Sequence, residues 1–109
     1  GRGLQVMTND GTWIDAIAEP DELIINMGDM MSRLTNNNLK STLHQVVNPP
    51  KEAWGSSRYS IPFFMHPIAE MPLNCLPHCI SEQQPKAYDD TTAGAFLHQR
   101  LIKLGLIKK

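Results

Sequence analysis

The chain has 109 residues, 10 basic and 11 acidic, a formal net charge of −1 and 41% hydrophobic residues. That length allows one small domain with a modest core and a high ratio of surface to volume. Near-neutral charge without a basic stripe argues against nucleic acid as a partner, because phosphate binding rests on clustered Lys and Arg. No apolar run approaches the roughly 18 residues that suggest a membrane span, and the opening residues carry no signal-peptide pattern. The expected location is the cytoplasm.

Leu4 to Thr8 and Thr12 to Ile17 flank the turn signal Asn9-Asp10-Gly11 and predict a β-hairpin. After Pro20-Asp21, the run Glu22-Leu23-Ile24-Ile25-Asn26 fits a short strand buried on both sides, ended by Gly28. Met30 to Leu34 fits either one helical turn or a strand. Asn36-Asn37-Asn38 marks a tight turn with left-handed backbone. Lys40 to Val47 then alternates, which puts Thr42, His44 and Val46 on one face and Leu43, Gln45 and Val47 on the other. Asn48-Pro49-Pro50 ends that strand. Arg58 to Met65 predicts the next one, interrupted at Pro62 by a bulge or an exposed edge.

From Pro67 to Pro85 proline is dense and periodicity is absent, the pattern of an irregular connector. Thr91 or Thr92 can cap a final helix to about Leu104, with Gly105 as its left-handed end. Phe96, Leu97, Arg100, Leu101 and Leu104 recur along one docking stripe. Met27, Met30, Met31, Met65 and Phe63 read as ordinary packing, and Asp29 as a turn cap. Cys75-x-x-His78-Cys79 offers three candidate zinc ligands where a structural site needs four, so reduced cysteines in a proline-rich loop are the better reading.

The pattern that carries chemistry is His44 followed, fourteen residues later, by Arg58-Tyr59-Ser60. On an extended segment Arg58 and Ser60 share a face. A guanidinium fork and a hydroxyl there suit one carboxylate of a small diacid, through two parallel hydrogen bonds and a third. A histidine on the neighbouring strand can hold a metal near the other end of that diacid. Taken alone, His44 is more often a core histidine and Arg58 a surface ion-pair residue, with Glu52 or Asp29 as partner.

Gly3-Leu4-Gln5-Val6, Gly11-x-Trp13, Asn26-Met27-Gly28-Asp29, Leu34-Thr35-Asn36, Ser41-x-x-His44, Arg58-x-Ser60 and Pro62-Phe63-Phe64 stand in a telling order. Their order and spacing resemble the C-terminal half of the isopenicillin N synthase-like oxygenases, non-haem iron enzymes mostly dependent on 2-oxoglutarate. The resemblance implies a mainly β fold, the distal part of a double-stranded β-helix (jelly roll) with a C-terminal helix, incomplete without upstream strands. It implies His44 as the third ligand of Fe(II), and Arg58 with Ser60 as the clamp on the far carboxylate of 2-oxoglutarate. His44 and this pair are expected to project into one concavity. Gln45 stands where arginine is usual, on the face away from His44.

The His-x-Asp pair that supplies the other two iron ligands in such enzymes is absent: the four histidines precede Gln-Val, Pro-Ile, Cys-Ile and Gln-Arg. One imidazole cannot hold Fe(II) by itself. The chain therefore reads as the distal piece of a longer oxygenase that oxidises a small molecule with O2, by hydroxylation, desaturation or cyclisation. By itself it is expected to be inactive. Segments 1–67, 68–90 and 91–109 would be the jelly-roll part, the proline-rich connector, and the helix with its tail. Exposed strand edges would favour self-association in the absence of the N-terminal half. The competing reading is a non-catalytic jelly-roll module that binds a carboxylate ligand or a protein partner without iron.

Overall fold

The computed structural model describes residues 3–109. The chain falls into two packing units, Gly1–Met27 with Ser41–Phe63, and Gly28–Lys40 with Phe64–Lys109. These units cut across the sequence segments 1–67, 68–90 and 91–109.

The first unit is built on an antiparallel sheet of three strands, β1 (Leu4–Met7), β2 (Trp13–Asp15) and β3 (His44–Val46), in the order β2-β1-β3. The hairpin forms where its turn chemistry places it. Thr8 Oγ1 and the Thr12 amide both bond the Asp10 carboxylate. The bonds from Thr8, and then those from Thr12, hold that carboxyl below its ordinary value. Gly11, at φ +85°, closes the turn. Lys51–Ala53 forms a 3-10 turn, and Trp54 donates its indole N–H to the Pro49 carbonyl at 2.9 Å.

Two expected strands are not formed. The run 22–26 joins no ladder, and Leu23 is 88% exposed rather than buried on both sides. Arg58 to Met65 likewise forms no strand, with Ile61 95% exposed. Strand propensity is realised only when a neighbour supplies hydrogen bonds and a face to pack on. Among the described residues neither run joins a strand ladder. Phe63 and Met65 are consequently exposed, and Met27 and Met31 partly so, where ordinary packing was expected.

The second unit is held by a polar hub as much as by apolar contacts. The ambiguous stretch is a short helix, α1 (Asp29–Leu34), followed by Asn36 and Asn37 at φ 48° and 67° as the turn signal requires. Asn36 is only 1% exposed. Its amide Nδ2 donates to the carbonyls of Cys79, Gln84 and Pro85 at 3.1–3.2 Å, and its Oδ1 accepts from the Ala87 amide at 2.9 Å. One side chain thereby ties down the C-terminal part of the proline-rich segment, which contributes Leu73, Cys75 and Cys79 to the core. The Cys75 thiol donates to the Arg33 carbonyl at 3.2 Å, and His78 of the same Cys-His-Cys cluster is exposed. The Arg33 guanidinium lies over the rings of Tyr88 and Phe96 at 4.9 and 5.1 Å. Asp29 pairs with Arg100 at 3.0 Å instead of capping a turn.

The final helix, α2 (Ala93–Lys103), is capped by Thr92, whose hydroxyl accepts from the Ala95 amide. Its first turn is docked by backbone bonds: Leu73 N to Thr91 O, Ala93 N to Met71 O and Gly94 N to Ala69 O. Burial follows that anchoring, with Ala93 buried, Leu97 and Leu101 half-buried, and Leu104 exposed. The expected docking stripe therefore holds only in its first half. At Gly94 an added Cβ would stand 2.9 Å from the Ala69 Cβ and 3.1 Å from its carbonyl oxygen. Alanine ordinarily favours a helix interior over glycine by about 1 kcal/mol. Here Gly94→Ala is expected to destabilise by about 1–3 kcal/mol through overpacking, and a thermal melt that rises instead would contradict the close approach.

Candidate metal and carboxylate site

Cross-strand register sets what His44 shares a face with. Val6 pairs with both His44 and Ile14, and Leu4 pairs with Val46. These five side chains occupy one face, so the imidazole sits in an apolar row. Gln5 pairs with Gln45 and Asp15 on the reverse face. There Gln45 Nε2 donates to Gln5 Oε1, and Gln5 Nε2 to Asp15 Oδ1, each at 2.9 Å. Gln45 is thus occupied in a ladder that does not involve the imidazole. His44 Nδ1 lies 3.3 Å from the Thr42 carbonyl oxygen. A proton on Nδ1 donates to that carbonyl and leaves the Nε2 lone pair for a metal.

Arg58 lies in the irregular segment after the 3-10 turn, yet its guanidinium is located. An ideal Cβ built on Gly3 would fall 2.0 Å from Arg58 Nη1 and 3.0 Å from Cζ. Gly3 directly precedes β1, and its carbonyl accepts from the Val47 amide at 2.8 Å, at the end of the β1–β3 ladder. The guanidinium is thereby brought to the end of the ladder that carries His44. Ser60 is exposed, two residues further along the same irregular segment.

Among the described residues no three His, Cys, Asp or Glu side chains gather to hold a metal ion. A single imidazole falls short of a complete Fe(II) site. The sequence reading placed Gly3 and Asn36 in ordered family motifs, and Asn36 in a turn, but missed the contacts of both: the close approach of Arg58 to Gly3 and the four backbone bonds of the Asn36 side chain.

The sheet thus carries an imidazole on an apolar face and an arginine folded onto its end. The 2OG-Fe(II) oxygenase superfamily profile matches residues 1–67. The chain belongs to that superfamily. A 2-oxoglutarate-Fe(II) type oxidoreductase of Emericella nidulans, hxnY, is 36% identical over 86% of this chain and 28% of its own length. Jasmonate-induced oxygenase 3 of Arabidopsis thaliana is 37% identical over 82% of this chain and 23% of its own. Among solved structures, a 2OG-Fe(II) oxygenase family protein from Caulobacter crescentus superposes with a TM-score of 0.89 at 45% identity, over 94% of this chain and 34% of that one. A full-length Neurospora crassa protein in complex with alpha-KG and thymine superposes with a TM-score of 0.75 at 31% identity, over 94% and 31%. The fold is that of a part of these β-based oxygenases. The chain spans about a third or less of the relatives it matches.

Proposed function

We propose that this chain is the C-terminal segment of an Fe(II)/2-oxoglutarate-dependent dioxygenase, the distal part of its jelly roll, acting on a small molecule in the cytoplasm. In this reading His44 is one iron ligand, and the other ligands come from residues outside this sequence. Iron bound in such a site supplies oxygen activation coupled to the oxidation of 2-oxoglutarate. The chain's own residues bind and orient. His44 Nε2 donates its lone pair to the metal while Thr42 fixes the ring tautomer. Arg58 and Ser60 grip the far carboxylate of 2-oxoglutarate, and Leu4, Val6, Ile14 and Val46 share the imidazole's face of the sheet. The observation that carries the reading is the family match across 1–67, which contains His44, Arg58 and Ser60 in one span. The presence of alpha-KG in the Neurospora relative supports the cosubstrate.

Arg58→Lys tests the clamp. A lysine keeps the charge but loses the bidentate fork. In the iron-loaded oxygenase the KM for 2-oxoglutarate is expected to rise roughly tenfold or more, with Fe(II) affinity unchanged. An unaltered KM would remove Arg58 from the site. The second reading, a carboxylate-binding module without iron, draws on the lack of a three-ligand cluster among the described residues. It requires 2-oxoglutarate or succinate to bind the 109-residue chain equally well with and without Fe(II) in a calorimetric titration.

A further inference from the structure

We infer that Gly3 is a positioning residue for the carboxylate clamp: the space left by its missing side chain is where the Arg58 guanidinium rests. The inference deepens the function proposed above and depends on Arg58 gripping a carboxylate. Any L side chain at position 3 would begin with a Cβ 2.0 Å from Arg58 Nη1, 3.0 Å from Cζ and 3.1 Å from the Val47 carbonyl oxygen. Atoms cannot share that volume, so the guanidinium or the backbone would have to move. The backbone is not free to yield, because Gly3 is buried and its carbonyl is bonded to the Val47 amide. Gly3 also has φ +129°, a conformation that is nearly glycine's alone.

Seating the guanidinium does functional work that burial of Gly3 alone does not. Arg58 sits in an exposed segment without regular structure, where a long side chain samples many rotamers. A flat groove over a glycine removes many of those choices before the ligand arrives, which improves affinity by lowering the ordering cost. The fork must also keep its orientation to present two parallel donors. Gly3 is therefore required for two separable reasons: a backbone angle and a close approach to the Val47 carbonyl that are independent of Arg58, and the tighter clearance for the Arg58 guanidinium.

A double-mutant cycle separates them. In the iron-loaded oxygenase that contains this chain, 2-oxoglutarate affinity by calorimetry, KM and kcat, Fe(II) affinity and thermal stability are compared for Gly3→Ala, Arg58→Ala and the double variant. Gly3→Ala is expected to weaken 2-oxoglutarate roughly tenfold to a hundredfold. KM should rise by that factor while kcat at saturation stays within about twofold, and Fe(II) affinity should not change. In the Arg58→Ala background the same substitution is expected to cost no further 2-oxoglutarate affinity. Wild-type affinity in Gly3→Ala, or an equal loss in both backgrounds, overturns the inference while leaving the clamp intact. Undiminished affinity in Arg58→Ala overturns the clamp reading and the inference together. Should Gly3→Ala fail to fold, the double variant decides. Recovery of folding there assigns the failure to collision with the guanidinium, and continued failure assigns it to the backbone and overturns the inference.

Discussion

His44→Ala is expected to abolish iron-dependent turnover in the oxygenase that contains this chain, with almost no change in thermal stability. The two halves of that outcome have different causes. The imidazole is exposed on its strand and its ring contact is a marginal one to the Thr42 carbonyl, so its removal takes little packing from the sheet. A facial site reduced to two protein ligands loses both affinity and geometry. Changes to groups that merely support a ligand already cost about 10–100-fold, so loss of a ligand should exceed a hundredfold. Steady-state turnover with metal analysis and a thermal melt would check both halves. The 109-residue chain alone, titrated anaerobically with Fe(II) and 2-oxoglutarate, should show no charge-transfer band, because His44 lacks companion ligands among the described residues. Retained turnover in His44→Ala would remove the residue from the metal site.

Asn36→Ala is expected to unfold the second unit, or nearly so. The substitution strands the carbonyls of Cys79 and Pro85 and the amide of Ala87, and leaves the Gln84 carbonyl with the Ser81 amide alone. Each buried group left unpaired costs about 1–3 kcal/mol, and alanine at φ 48° adds about 1 kcal/mol of backbone strain. Small domains have only about 5–15 kcal/mol to lose. A fall in melting temperature of at least about 10 °C follows. Asn36→Asp isolates the donor's share, since it keeps an acceptor for Ala87 and tolerates left-handed backbone but cannot donate to three carbonyls. Hydrogen exchange at the Ala87 amide should accelerate more in Asn36→Ala than in Asn36→Asp. A melting temperature within two or three degrees of wild type would show that water replaces the side chain.

Elements specified by their own neighbours were legible in advance. The hairpin is set by the Asn9-Asp10-Gly11 turn, and the final helix by its Thr92 cap and Gly105 end at φ +73°. The opposite faces of His44 and Gln45 follow from strand alternation and hold in the observed register. The ordered motifs pointed to the oxygenase family that the profile match shows. Errors fell where the outcome depends on a neighbour distant in sequence. Runs 22–26 and 58–65 have strand composition, but a strand needs a partner that local sequence does not name. The Leu97–Leu101–Leu104 stripe has helical spacing, yet only its first half finds a surface, because the Ala69–Leu73 backbone docks the first turn and leaves Leu104 exposed.

The sequence by itself determined the turns, the caps and the alternation around His44. Each of these depends on residues a few positions apart, and their preferences act within one turn or one pleat. Only the tertiary structure decided that Asn36 binds the 79–87 segment through four backbone groups, that Cys75 turns its thiol to the Arg33 carbonyl, and that Gly3 underlies Arg58. Those contacts join residues about forty to fifty-five positions apart in sequence. Whether a donor reaches an acceptor, or a side chain finds an empty volume, depends on how the chain returns in space, and no local preference encodes that return.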